Sequence, residues 1–165
     1  MAWFSGGSSA EIVSAPKVYG FDTGFVCYHR GWNELRSEDL GLLWEHLVLN
    51  ELHSHLQSRA IHYWRSKQGA EVDFVLAPRG KPPIAIECKW SADGFESRRL
   101  RAFRARHPKG VNFVVATDVE ERVTKRFGKV WVRFVSLEGL IEELTLAETR
   151  RSRSSVKDPG PSQEA

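Results

Sequence analysis

Glu71-Val72-Asp73-Phe74-Val75-Leu76-Ala77 and Pro83-Ile84-Ala85-Ile86-Glu87-Cys88-Lys89 are two short runs, rich in β-branched and apolar residues, that also carry charge. Both read as strands. Strand alternation places Val72, Phe74 and Leu76 on one face of the first, and Asp73 on the other with Glu71 and Val75. In the second run Ile84, Ile86 and Cys88 share a face, while Glu87 and Lys89 project together from the opposite one. Aspartate is disfavoured inside strands, so Asp73 asks for a reason. Two bland readings stand beside a functional one: Asp73 lies on a solvated face, and Glu87 with Lys89 forms a surface pair of little energetic weight.

Outward from these strands the chain alternates helix and strand. Towards the N-terminus, Ile61 to Arg65 is a further strand, set off by Gly69. Glu38 to Ser58 is the clearest helix, with Leu42, Leu49, Leu52 and Leu56 on one stripe at helical spacing. Beyond Lys89 the pattern predicts a helix from about Phe95 to Arg106, ended by His107-Pro108-Lys109-Gly110. Val111 to Thr117 is apolar except for Asn112, as in a strand covered on both faces. Lys129 to Val135 is another strand, and Leu137 to Leu146 a closing helix. The order argues for an α/β domain, a central mixed sheet flanked by helices.

The chain has 165 residues, enough for one domain with a proper core. Its 41% hydrophobic and 27% charged residues are ordinary for a globular protein. No apolar run approaches the roughly 18–20 residues of a membrane span, and residues 1–15 lack the features of a secretory signal. Cys27 and Cys88 have no CxxC spacing and read as reduced thiols of a cytoplasmic protein. Residues 1–14 read as a flexible Gly/Ser-rich segment, 15–147 as the folded domain, and 148–165 as a disordered basic tail. The net charge of +3 is compatible with a nucleic-acid partner without demanding one.

Several side chains are candidates for chemistry. Glu45 lies between Leu42 and Leu49, within the apolar stripe, where a carboxylate is costly unless paired or bound to a cation. Hydrolysis of a phosphodiester calls for a cation that neutralises phosphate and activates water, and Mg²⁺ favours one or two carboxylates completed by waters. Asp73 and Glu87 suit that task if their strands are neighbours and both face the same way. Lys89 is placed to orient or deprotonate the attacking water, or to stabilise charge on the phosphate. Glu45 approaches from the covering helix. Arg98, Arg101 and Arg104 share one flank of their helix beside Leu100 and Phe103, a stripe suited to a phosphate backbone or simply to a solvated face. His46 and His53 either line the site or flank an amphipathic helix as polar residues. Tyr63, Trp64 and Arg65 either stack on a base or contact phosphate, or the aromatics pack in the core or at its rim. Asp22-Thr23-Gly24 reads as a turn or helix cap.

The order αβββαβ, the preceding helix glutamate Glu45, and Asp73 followed after thirteen intervening residues by Glu87-Cys88-Lys89 resemble the PD-(D/E)XK nuclease superfamily. Three segments narrow the resemblance: Pro16-Lys17-Val18-Tyr19-Gly20-Phe21-Asp22-Thr23-Gly24, Leu43-Trp44-Glu45-His46-Leu47-Val48-Leu49-Asn50-Glu51-Leu52, and Tyr63-Trp64-Arg65-Ser66-Lys67-Gln68-Gly69-Ala70-Glu71-Val72-Asp73-Phe74-Val75. Together they resemble a domain of unknown function usually found at the C-terminus of prokaryotic AAA+ ATPases. The resemblance implies a restriction-endonuclease-like fold. It also implies Asp73 and Glu87 as ligands of Mg or Mn, Lys89 and Glu45 as catalytic residues, and nucleic acid as substrate. It equally implies a rival, a catalytically silent interaction domain for a AAA+ ATPase. Val72 stands where the superfamily's name has proline. No GxxxxGK[ST] loop occurs, so the ATPase is expected to be a separate chain, or this chain a truncated form of a larger one.

Overall fold

In a computed structural model, which describes residues 1–4, 17–56 and 61–155, the chain forms a seven-stranded mixed sheet with helices on both faces. The strands are β1 (Ala2–Trp3), β2 (Ile61–Arg65), β3 (Glu71–Leu76), β4 (Ile84–Lys89), β5 (Asn112–Ala116), β6 (Val123–Phe127) and β7 (Val130–Val135). The helices are α1 (Thr23–Arg30), α2 (Ser37–Leu56), α3 (Ser97–Arg106) and α4 (Leu137–Ser155). Spatial order across the sheet is β1-β2-β3-β4-β5-β7-β6. β2, β3 and β4 form an antiparallel meander, and β5 lies parallel to β4 after the crossover through α3. This is the αβββαβ order of a restriction-endonuclease-like fold.

The sheet divides two apolar layers. On one face Trp44, Val48, Leu49 and Leu52 of α2, with Leu140 and Leu144 of α4, pack on Phe74, Ile86, Cys88 and Val115. On the other, Leu100 and Phe103 of α3 pack on Trp64, Val75, Ala85 and Val114. Fully burying one such large side chain is worth roughly 1.5–3 kcal/mol, so the two layers together fix where α2 and α3 sit. The stripe on α2 is narrower than its leucines suggest. Leu49 and Leu52 are buried, Leu42 and Leu56 only half so, and Trp44 and Val48 complete the buried face. The Asp39 side chain accepts the Arg36 backbone N–H at 3.0 Å and closes the first turn of α2.

Four elements differ from the sequence reading. Strict alternation in β3 fails: Val72 packs with Val75 on the α3 face, while Phe74 and Leu76 face α2. The cause is a register shift. His62 pairs with Val75 but Trp64 pairs with Val72, so β3 spends one residue more than β2. Such a bulge turns every side chain beyond it to the other face. Second, α1 forms although no stripe announces it. Asp22 caps it, accepting the Phe25 N–H at 2.7 Å, and Gly31 ends it at φ 66°. Third, β6 is an edge strand exposed over Val123–Arg126, paired antiparallel with β7 through a turn at Gly128 (φ 64°). An exposed edge carries no apolar alternation to read. Fourth, the closing helix runs past Leu146 through Ser155, where composition predicts a disordered tail from 148; 156–165 lie outside the described residues. At the other end Ala2–Trp3 pairs parallel with β2, and residues 5–14 of that N-terminal segment lie outside the described residues. No helix among the described residues is long and apolar enough to cross a membrane.

Candidate active site at the parting of two strands

β3 and β4 hydrogen-bond as far as the pair Phe74–Ile86 and then part. At that point the Asp73 carboxylate replaces the missing backbone acceptor, its Oδ2 receiving the Cys88 N–H at 2.8 Å. The bulge therefore aims Asp73 sideways, towards β4, instead of out of a sheet face. Glu87, on β4, is wholly buried. Its Oε2 accepts from Lys89 Nζ at 3.2 Å, and Oε1 is buried with no hydrogen-bond partner. Lys89 Nζ also lies 3.9 Å from Asp73 Oδ2. Asp73, Glu87 and Lys89 thus meet where the strands separate.

Glu45 reaches the same place from α2. Its Oε1 accepts from Lys17 Nζ at 3.1 Å and from the Tyr19 hydroxyl at 2.5 Å. Lys17 pairs in addition with Glu71, whose other oxygen meets Arg65 Nε at 2.9 Å. His46 packs edge-on against Tyr19, with ring centroids 5.1 Å apart, and its Nδ1 lies 3.0 Å from the Leu42 carbonyl. His53 is exposed.

The electrostatics follow from burial. Desolvation, reinforced by Glu45, pushes Asp73 up to about 6, and desolvation with Asp73 close by pushes Glu87 up to about 8. Burial opposes the charge on Lys89, but Asp73 and Glu87 outweigh it and hold its pKa above the usual lysine value. Lys17 is held up in the same way: burial opposes its charge, and Glu45, Glu71 and Asp73 overcome it. Burial and the nearby carboxylates raise the Cys88 thiol, so this cysteine is inert packing beneath the site. A buried carboxylate oxygen without a donor is costly, and beside a second carboxylate it suits a hard divalent cation. Among the described residues no three His, Cys, Asp or Glu groups stand close enough to grip a metal by themselves. Asp73 and Glu87 therefore fit an ion completed by water or substrate oxygens.

A family model described as "Domain of unknown function (DUF4143)" matches residues 40–135, more than half of the chain, from α2 to the end of β7. The chain belongs to this DUF4143 family. Glu45, Asp73, Glu87 and Lys89 all lie inside the matched region. An uncharacterized protein of Mycobacterium tuberculosis and one of Mycobacterium bovis are each 32% identical over 104 residues, 61% of this chain and 23% of theirs. The chain spans less than a quarter of the length of these relatives. A refined half-complex from the tetradecameric assembly of Thermococcus gammatolerans McrB AAA+ hexamers with bound McrC contains a chain with TM-score 0.46 and 12% identity, covering 65% of this chain and 33% of that one. A likeness of that size fixes neither fold nor partner.

The three arginines read together on this DUF4143 domain separate. Arg98 and Arg101 are exposed. Arg104 is buried, and its guanidinium donates to Asn112 Oδ1 at 2.6 Å and to the carbonyls of Pro83, His107, Lys109 and Val111. Its donors are spent on tying the end of α3 to the sheet, so it is not presented to a phosphate backbone. Tyr63 and Trp64 are core residues. Three groups at the site escaped sequence reasoning. Lys17 and Tyr19 lie far from Glu45 in the chain, and their only signal was the segment Pro16–Gly24. Arg99 acts on both Glu87 and Lys89 electrostatically, yet helical spacing gave it no advantage over its neighbours.

Proposed function

We propose that the domain is a divalent-metal-dependent phosphodiesterase acting on DNA or RNA. The observation that carries this reading is the meeting of Asp73, Glu87 and Lys89 at the parting of β3 and β4, with Glu87 Oε1 buried and unpaired. Asp73 and Glu87 would hold Mg²⁺ or Mn²⁺. The chemistry such an ion supplies is neutralisation of phosphate charge and a lowered pKa of bound water. Lys89, an ammonium group at neutral pH beside both carboxylates, serves as a hydrogen-bond donor to phosphate oxygen. Glu45 shapes the site through Lys17 and Tyr19. Exposed Arg98 and Arg101 are suited to the nucleic-acid backbone, and exposed Trp90, directly after Lys89, is suited to stack on a base. The free thiols Cys27 and Cys88 accord with a cytoplasmic setting.

The test uses the purified chain with single- and double-stranded DNA and RNA, in Mg²⁺, Mn²⁺ or EDTA. Metal-dependent products that Asp73→Asn and Lys89→Met lose are the expected outcome. Intact substrate under every metal, with a folded protein, overturns the reading.

A second reading is a nuclease-fold interaction domain without catalysis, serving a AAA+ ATPase on a separate chain. Its support is the resemblance to AAA+-associated domains, together with the apolar surface of Val18, Phe21, Phe25 and Tyr28 around α1, where Phe21 and Phe25 stack at 5.7 Å. Unchanged partner capture by Asp73→Asn, and loss of capture by Phe21→Ser, favour it.

A further inference from the structure

Lys17 is the cation bonded to Glu45. Its Nζ lies 3.1 Å from Glu45 Oε1 and pairs with Glu71, and Asp73 adds to the field that keeps it charged. Three carboxylates, from α2 and β3, thus act on one ammonium group. The lysine is held in place from several sides. Its backbone carbonyl accepts the Met1 ammonium at 3.0 Å, and its Nζ lies 5.9 Å from the centroid of the Tyr63 ring. Only about a quarter of its side chain is exposed.

The other half of the site is different. Among the described residues the buried carboxylate oxygen left without a donor is Oε1 of Glu87, whose Oε2 meets Lys89. Glu45 Oε1 already accepts two hydrogen bonds, from Lys17 and Tyr19, and both oxygens of Glu71 are taken by Lys17 and Arg65. Oε1 of Glu45 and both oxygens of Glu71 are thus engaged by cations or donors, whereas Glu87 keeps a buried oxygen without a donor.

We propose that Lys17 is a built-in counter-ion occupying the Glu45 side of the site, so that the domain takes one divalent ion, at Asp73 and Glu87, where removal of the lysine would admit two. This rests on the reading of Asp73 and Glu87 as a metal site. The physical argument is exclusion. An ammonium bonded to Glu45 and Glu71 repels a divalent ion and uses the oxygens that would ligate it. The arrangement also gives Glu45 a positioning role, since it acts through Lys17 and Tyr19.

The test is Mn²⁺ binding to the full chain, counted by calorimetry and by the loss of the free-ion paramagnetic resonance signal. Wild type is expected to bind one ion per chain, Lys17→Arg also one, and Lys17→Met two. Adding Glu45→Gln to Lys17→Met returns the count to one. Circular dichroism checks that each variant is folded, and if Lys17→Met is not, Lys17→Gln takes its place. Two ions on wild type overturn the proposal, as does a single ion on the folded Lys17→Met and Lys17→Gln proteins. Those outcomes leave the Asp73–Glu87 site standing. Wild type that binds none removes the metal site itself, and the role given to Lys17 with it.

Discussion

The Asp73 carboxylate completes the β-ladder at Cys88: its Oδ2 stands 2.8 Å from the Cys88 backbone nitrogen, where a strand carbonyl would otherwise be. One side chain thus serves two ends. It satisfies a buried N–H that the parting of β3 and β4 leaves orphaned, and it presents its charge to Lys89 and Glu45. The same carboxylate is therefore structural on one oxygen and available for chemistry through its charge.

Asp73→Asn separates those roles. The amide carbonyl still accepts the Cys88 N–H, so the fold is retained, while the charge beside Glu87 is removed. Cleavage and Mn²⁺ affinity are expected to fall, with an unchanged circular dichroism spectrum. Asp73→Ala additionally leaves a buried donor unpaired, an expense of about 1–3 kcal/mol that makes it less stable than Asp73→Asn in denaturant titration. Equal stability of the two variants would contradict the ladder role.

Metal-free protein is expected to lose stability as pH rises from about 4 to 8. Asp73 and Glu87 shift upward from ordinary values of 3.8 and 4.5 to about 6 and about 8. Across that window the folded chain binds more protons than the unfolded one, so the free energy of unfolding decreases with pH. Glu87→Gln removes most of the upper part of the slope. Melting temperatures in EDTA at pH 5, 6, 7 and 8 test this: the gap between Glu87→Gln and wild type should move in favour of the variant as pH rises. A gap that stays constant refutes it.

Lys89→Met is expected to lower cleavage by about 10²–10³-fold, the usual cost of losing one donor to a charged transition state. Lysine is ordinarily protonated at neutral pH, and in the metal-free chain burial opposes its charge but Asp73 and Glu87 hold it above the usual value, so the residue is expected to act as a cation. No loss of rate attributable to lysine deprotonation should then appear in wild type between pH 7 and 9. A rate that climbs through that range and flattens only in Lys89→Met would instead mark it as a base.

Arg101→Ala and Arg104→Ala should fail in opposite ways. Arg101 is exposed, and its loss should leave stability within about 0.5 kcal/mol while weakening nucleic-acid binding and reducing its salt dependence. Arg104→Ala strips hydrogen bonds from four carbonyls and Asn112, and should cost roughly 3 kcal/mol of stability. Equilibrium unfolding and salt-titrated binding of both variants distinguish the two.

Much of this domain is determined by sequence alone. The two runs around Asp73 and Glu87 are short, apolar and bounded by Gly and Pro, and they become β3 and β4 with ends shifted by a residue. The helices that cover them carry their burial in their periodicity, because one face must meet the sheet. Glu45, Asp73, Glu87 and Lys89 were legible because charge inside an apolar pattern is costly and therefore conspicuous. Tertiary structure decided what periodicity cannot encode. Whether β3 keeps its register depends on β2, and the bulge there is what turns Asp73 toward Cys88. Which of the helix-α3 arginines is free depends on the carbonyls of Pro83 and Val111, brought to Arg104 by the sheet. The partners of Glu45 come from Lys17 and Tyr19, 28 and 26 residues away. Burial patterns are local and repeat along the chain, whereas the hydrogen bonds and ion pairs that give a charged residue its role are made across it.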